Sequence, residues 1–507
     1  MSRRRFLALV FTGALLIASV PGTAGAAGGY LTPQAPYITL DPGVPAGSMV
    51  RAIINSGDTV GDFTFQGIPD GIGIAPGAPG TVDVYVAHEE TTVPFFGTAD
   101  FQDASVSKLT LSTARGMQGA VLAADVAISP DYGYLRFCSA SMAGPYEGFD
   151  DYVFLTGEES NDIVAVPPGA PYGADRSLRP DRQAGYAVAL NTSTGESAPI
   201  AGMGRLNHET ALALPGYDEI VMLTTDDTFS GPSSQLYMYL ADDQDAVFAD
   251  TGSLWAFQVT ATEAGPVHVY DAFNGANDYL DIRPGDTWQG RFIRVPDDVA
   301  DGTTSVAPQQ ALEDWSNQNN VFQFIRLEDA TYDVNNPHVV WIADTGRSRV
   351  VPDPATGRLV RGPSGTVGLA DNGAIFQFVF DANDPKKVVS FSMVAQGDDD
   401  SIGAYVPFES PDNLGSSRRS LMVQEDADNA KIWRLDLRSG NWSVVATVND
   451  PDGESSGIVD ASAWFGPGSW LLDVQGHGAN VAEEIQPDGT LLKLESGQLM
   501  LMKIRGS

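Results

Sequence analysis

Short runs rich in β-branched and aromatic residues recur along nearly the whole chain, each bounded by Gly, Pro, Asp or Asn. Val82-Asp83-Val84-Tyr85-Val86, Tyr152-Val153-Phe154-Leu155, Ile220-Val221-Met222-Leu223, Val339-Val340-Trp341-Ile342 and Trp470-Leu471-Leu472 are examples. Such residues suit a pleated sheet surface, and the turn formers at their ends hold each run to strand length. Helical periodicity is scarce; residues 309–315 have room for about two turns. The 54 glycines and 32 prolines among 507 residues work against long helices. Many short strands spread evenly over a chain of this length predict an all-β fold, a single β-propeller with loop insertions. Two β-sandwiches in series are the alternative. No repeat of fixed period is visible, so the blades must be divergent or carry insertions. Residues 167–185 and 284–320, rich in Pro, Gly and polar side chains, are the candidate insertions. No low-complexity linker divides the chain, and residues 27–507 are expected to form one domain.

Residues 1–26 read as a cleaved export signal. Ser2-Arg3-Arg4-Arg5-Phe6-Leu7 precede an apolar stretch over 8–20, and Ala24-Gly25-Ala26 supplies the small residues of a cleavage site. The apolar stretch is too short to cross a hydrocarbon core of about 30 Å. The S-R-R-x-F-L order fits the twin-arginine signal, which makes the twin-arginine export machinery a partner. No other segment is long and apolar enough for stable membrane insertion, so a periplasmic, cell-wall-associated or extracellular location is expected. Cys138 is the single cysteine. An exported chain without an intramolecular disulfide must rely on a large core, on bound metal, or on both.

The 29 Lys and Arg stand against 65 Asp and Glu, a formal charge of −36. Such a field repels nucleic acid and anionic lipid, whose binding rests on cationic side chains. Much of the acidity lies in short motifs, several placed just after a strand. They are Asp70 in Ile68-Pro69-Asp70-Gly71, His88-Glu89-Glu90, Gly157-Glu158-Glu159, Asn207-His208-Glu209, Thr225-Asp226-Asp227 and Arg326-Leu327-Glu328-Asp329. Pro411-Asp412-Asn413, Gln424-Glu425-Asp426, Glu454-Ser455-Ser456 and Asp473 continue the series. In a propeller the ends of equivalent strands converge near the axis, so these carboxylates can meet at one mouth. Crowded carboxylates repel unless they protonate or bind cations. Calcium, which takes six to eight oxygens, suits such a site.

Other patterns fail on their context. Gly453-Glu454-Ser455-Ser456-Gly457 fits G-x-S-x-G, but the surroundings are β and lack the following helix. His208-Glu209 does not extend to H-E-x-x-H because position 212 is Leu. Cys138, in Leu135-Arg136-Phe137-Cys138, has an apolar setting and reads first as a small hydrophobe. Arg326 stands two residues before Glu328, and i and i+2 share a face of a strand, so guanidinium and carboxylate are expected to project together.

In their order these motifs resemble the PhoX-type alkaline phosphatases. The resemblance rests on Gly67-Ile68-Pro69-Asp70-Gly71, His88-Glu89, Gly157-Glu158-Glu159 and Gly204-Arg205-Leu206-Asn207-His208-Glu209. It continues through Arg326-Leu327-Glu328-Asp329, Pro411-Asp412-Asn413-Leu414, Gln424-Glu425-Asp426, Glu454-Ser455-Ser456-Gly457 and Leu472-Asp473-Val474-Gln475. It implies a six-bladed propeller that holds a mixed iron and calcium cluster at its axial mouth and hydrolyses phosphate monoesters. It also implies Glu158, Glu159, Glu209, Glu328, Asp329, Glu425 and Asp473 at the metals, with Arg326 gripping the phosphate. Gly157 stands where the family has an iron-binding Cys, Thr210 where active members often carry Trp, and Leu327 where the R-P-E-D motif has Pro. Loss of that thiolate bears on iron, whereas calcium needs only oxygens. The chain thus reads as a divergent branch acting on a small-molecule phosphoester. A calcium-stabilised, non-catalytic binding propeller and another propeller hydrolase of lactonase or phytase type are the alternatives.

Overall fold

The computed structural model describes residues 29–165, 181–228, 231–267, 276–303, 305, 307–355 and 357–506. The expected export signal and residues 167–180 of the first candidate insertion lie outside these. Among the described residues the chain is almost entirely β, arranged as radial antiparallel sheets around an axis, as a propeller requires. Two four-stranded sheets come first. One runs through Pro69–Pro76, Thr81–His88, Ser105–Ser112 and Val121–Ile128, the next through Phe137–Ala143, Val153–Glu158, Ala187–Asn191 and Ser197–Ile200. A ten-stranded sheet follows, in which His208–Leu214, Ile220–Asp226, Leu236–Ala241 and Ser253–Thr262 form one half. Leu327–Asp333, Asn336–Asp344, Ala374–Asp381 and Asp384–Gln396 form the other. Trp288–Arg294, from the second candidate insertion, pairs with the outer strand of each half and fuses them. The same insertion carries the helix Pro308–Gln318, which covers the segment predicted from sequence.

Two sheets close the circle. Pro411–Ser416, Ser420–Glu425, Lys431–Asp436 and Asn441–Val448 take Ile38–Leu40 as outermost strand. Glu454–Asp460, Ser469–Ile485 and Leu491–Lys503 take Met49–Asn55, so the N-terminal segment locks against the C-terminal strand. The innermost strands pack side by side from Pro69–Pro76 through Phe137–Ala143, His208–Leu214, Leu327–Asp333, Pro411–Ser416 and Glu454–Asp460 back to Pro69–Pro76. That closed ring excludes two sandwiches in series.

The core lies between neighbouring sheets. Val153 and Leu155 pack toward Ala211, Ala213 and Met222, while Phe154 between them packs toward Tyr85, Val106 and Ile128 on the opposite side. Each sheet is thus covered on both faces, and period-2 alternation sends apolar side chains both ways. Both parities must therefore be apolar, which explains the continuous hydrophobic runs in the sequence. Phe257, Phe322, Phe324, Phe376, Phe378 and Phe391 fill one of these seams with edge-to-face and stacked contacts. No helix among the described residues is long and apolar enough to cross a membrane.

Candidate metal centre

The same hydrogen-bond device opens five of the six innermost strands; the sixth, Glu454–Asp460, pairs from its first residue and bulges only after Ser456. In the five, the first residue pairs with the last residue of the second strand: Pro69 with His88, Phe137 with Glu158, His208 with Asp226, Leu327 with Asp344 and Pro411 with Glu425. Pairing then lapses and resumes at Ile72, Ala140, Ala211, Ala330 and Leu414. Such bulges bend a strand and re-aim the side chains within them. In these five, the residue just before the inner strand accepts a backbone bond from the residue just after the second strand. Glu89 donates to Ile68, Glu159 to Arg136, Asp227 to Asn207, Thr345 to Arg326 and Asp426 to Ser410, at 2.9–3.0 Å. Ile68, Arg136 and Ser410 take φ values of 41°, 47° and 47°, a left-handed backbone that is uncommon outside glycine and costly for a β-branched residue. Repetition of this kink around the axis gives two sets of converging side chains. Asp70, Cys138, Glu209, Glu328 and Asp412 come from the bulges, and Glu89, Glu159, Asp227 and Asp426 from the second-strand ends.

Seven of these residues form three overlapping donor triads. Asp70, Glu89 and Cys138 make the first, Cys138, Glu159 and Glu209 the second, and Glu209, Glu328 and Asp412 the third, with donor atoms in each within 4.8 Å of one another. Cys138 and Glu209 are shared vertices, so the triads form a continuous row. Both Glu209 oxygens and Asp70 Oδ1 are buried without a hydrogen-bond partner among the described residues. Leaving a buried carboxylate uncompensated costs several kcal/mol, and a cation removes that cost. The residues therefore fit a metal cluster. The thiol makes the first two triads mixed S/O sets, suited to a softer metal such as iron, while the third is all oxygen and suited to calcium.

Of the residues expected from sequence, Glu159, Glu209 and Glu328 stand in the row. Glu158 does not share it. Its carboxylate accepts from the backbone N–H groups of Leu135, Gly185 and Tyr186 at 2.9–3.1 Å and ties adjacent loops together. Glu425 likewise accepts from Glu409 N, Lys431 N and Trp433 Nε1. Asp329 accepts from Ala330 N and Leu414 N. These three carboxylates order the backbone around the row. Asp473 is fully buried, with neither oxygen bonded among the described residues, and its charge adds to that of Asp70. Arg326 lies at the third triad, with Nε donating to Asp227 Oδ1 at 2.6 Å and Nη2 to Asp227 Oδ2, and with Glu328 Oε1 at 3.5 Å. His208 is no ligand in this geometry. Its Nδ1 meets Thr224 Oγ1 at 2.7 Å and its Nε2 the Gly204 carbonyl at 3.0 Å.

The expectation that Cys138 is a small hydrophobe is corrected by this arrangement. Its thiol is buried against carboxylates, with Sγ 3.5 Å from Asp70 Oδ2, and burial with the charges of Asp70, Glu209, Glu159 and Glu89 pushes its pKa well up. The absence of a side chain at Gly157 has a packing reason. A Cβ there would lie 2.3 Å from His208 Cβ, so any larger residue at 157 would require the neighbouring inner strand to shift. Gly157→Ala should therefore destabilise the protein by about 1–3 kcal/mol through overpacking, read as a lower midpoint in thermal unfolding.

Burial and mutual repulsion raise the carboxyl pKa values across the row. Burial and then the Glu454 charge push Glu89 to about 7. Glu159, Glu209, Glu328 and Asp412 are driven well above the carboxylate range by burial first and by neighbouring acids second. Glu454 is the exception. Burial opposes it, but His477, whose ring also meets Glu495, holds it down at about 2. Asp70, Glu89, Cys138, Asp412 and Asp227 escaped selection from sequence although their motifs were visible. The available signal was positional: each occupies the second place of an inner strand or the first place after its neighbour.

No family model matches the sequence, and no curated protein does. Among solved structures, Pseudomonas fluorescens PhoX in complex with vanadate, a transition-state analogue, superposes with a TM-score of 0.60 over 92% of this chain and 96% of that one, at 14% identity. The chain has the PhoX fold. At this identity the likeness to PhoX establishes architecture alone. An α-L-arabinanase of Penicillium chrysogenum matches over 90% of this chain and 99% of that one, at 8% identity and a TM-score of 0.41, a level that carries no argument.

Proposed function

We propose that this chain is an exported, metal-dependent phosphomonoesterase built on a six-bladed propeller. The observation that carries the reading is the row of three donor triads with Arg326 beside its oxygen-only end. Six innermost strands in a closed ring support the blade count. In this reading Glu209, Glu328 and Asp412 hold calcium, and Asp70, Glu89, Cys138 and Glu159 hold a further metal, with iron the candidate at the thiol. Bound metal would supply Lewis-acid stabilisation of phosphoryl oxygens and offset the charge that otherwise repels an anionic substrate. Arg326 is pre-oriented by Asp227 and Glu328, so its guanidinium can donate to a phosphoryl oxygen with little loss of side-chain freedom. Glu158, Glu425 and Asp329 fix the loops that carry these groups. The acidic surroundings make the site selective for ligands able to engage both metal and Arg326.

Residues 1–26 support export through the twin-arginine route, folded before transfer, to the periplasm, cell wall or medium. The decisive test is hydrolysis of p-nitrophenyl phosphate by protein purified from its export route. Turnover should vanish on chelation and return with calcium; turnover unaffected by chelation would refute the reading. A second reading, a calcium-stabilised propeller without catalysis, draws on the bidentate Arg326–Asp227 pair, which also satisfies a purely structural role. Stoichiometric calcium without turnover on a phosphoester panel would favour it.

A further inference from the structure

A second arginine stands beside the first. Asp344 closes the strand Asn336–Asp344, and its carboxylate accepts from Ile325 N at 2.9 Å, Arg326 N at 3.3 Å and Gly346 N at 2.9 Å. Thr345 N donates to the Arg326 carbonyl at 2.9 Å, and Arg347 N to the Ala370 carbonyl at 2.9 Å. The loops carrying Arg326 and Arg347 are thus bound to one carboxylate and to each other. Gly346, at φ 74°, permits the turn between them; a Cβ there would come within 2.6 Å of Gly373 N.

Arg347 differs from Arg326 in having no ion pair or side-chain hydrogen bond among the described residues, and its Nε is buried. An unmet buried donor on a cation costs more than a neutral one and marks a place where an anion can bind. The carboxylate it senses, Asp227, is already taken by Arg326. Burial, then the positive charges of Arg326 and Arg361, lower the Arg347 pKa, with Arg349 adding to the same field. Arg349 and Arg361 sit together at the hairpin of Val350–Pro352 and Leu359–Arg361, with Gly362 N donating to the Arg349 carbonyl at 2.8 Å and Arg349 N donating to Asp371 Oδ1 at 3.3 Å. In a chain of formal charge −36, the neighbouring guanidiniums of Arg347, Arg349 and Arg361 add local positive charge at the flank of an acidic mouth.

We propose that Arg347 is a specificity-determining contact for a second phosphate group, carried on the same ligand as the phosphate that Arg326 and the metal row would hold. This deepens the phosphomonoesterase reading and rests on it for the position of the first phosphate. The class of ligand is a phosphoester with two neighbouring phosphates, of which a nucleoside diphosphate is one member. Arg349 and Arg361 add long-range attraction.

Adenosine diphosphate and monophosphate differ by one phosphate and serve as probes. Their binding to metal-loaded, full-length mature protein is measured by equilibrium dialysis in saturating calcium, for the wild type, Arg347→Gln and Arg347→Lys. The wild type should prefer the diphosphate by at least about tenfold, and Arg347→Gln should reduce that preference to within about threefold. Arg347→Lys, which keeps the charge but loses the fork, should fall between the two. A wild type without preference, or an Arg347→Gln variant that folds, retains metal and keeps the full preference, overturns the proposal. If Arg347→Gln does not fold, the Lys variant decides in the same way. A wild type that binds the diphosphate through Arg347 yet hydrolyses no phosphoester would refute the phosphomonoesterase reading and leave this site standing.

Discussion

Arg326→Gln should lower kcat/KM for p-nitrophenyl phosphate by about 10²–10³-fold, the loss typical when one oriented donor to a developing anion is removed. The guanidinium is held by Asp227 through two nitrogens and faces Glu328 at 3.5 Å, so its position is set before any ligand arrives. Most of the loss should fall on kcat, because a contact that strengthens as charge develops contributes little to ground-state affinity. Arg326→Lys should rescue only a small part, since a point charge cannot satisfy Asp227 and a phosphoryl oxygen at once. Removing the cation also leaves Asp227 and Glu328 uncompensated, and a thermal midpoint recorded with the kinetics separates lost folding from lost catalysis. Full activity in a folded Arg326→Gln variant would remove Arg326 from the mechanism.

The second large effect concerns the metal-free protein and pH. Glu89 is raised to about 7 and Glu90 to about 8, in both cases by burial first. Asp329 is raised to about 6, again chiefly by burial. A carboxyl with a folded-state pKa above its unfolded one binds more protons in the folded state. Its contribution is fully present below the unfolded value near 4 and is lost as pH rises through the folded value. The metal-free protein should therefore lose stability between about pH 5 and pH 8, opposite to ordinary acid denaturation. Several such groups acting together predict a fall in the thermal midpoint on the order of 10 °C over that window. Metal replaces the protons, so the loaded protein should be nearly flat over the same range. A metal-free midpoint that is constant or rises from pH 5 to pH 8 would contradict the carboxylate row.

Much of this architecture was legible as strands and turns. Runs such as 152–155 and 339–342 are strands because both faces of each sheet are covered, which demands apolar residues at both parities. The absence of a visible repeat also has a structural cause. What recurs is a hydrogen-bond pattern, the lapse after Pro69, Phe137, His208, Leu327 and Pro411, and backbone bonds leave little trace in side-chain identity. For the same reason the acidic motifs were recognisable but their members were hard to rank. In Gly157-Glu158-Glu159 the two glutamates differ by one place, and alternation sends Glu158 to backbone amides and Glu159 to the metal row. Cys138 was hidden by its apolar neighbours. Phe137 packs outward between sheets while the bulge turns Cys138 inward, a reversal that strand periodicity alone does not give.

The central claim is that side chains distant in sequence share bound metal. The measurement that tests it most directly is metal content by elemental analysis of protein purified from its export route, alongside Cys138→Ser and Glu209→Ala. The account predicts tightly held metal in the wild type, with calcium present. It also predicts selective loss of the softer metal in Cys138→Ser, and loss of both kinds in Glu209→Ala, where two triads share a ligand. Wild-type protein that is folded and metal-free, or a Glu209→Ala variant with unchanged metal content, would contradict it.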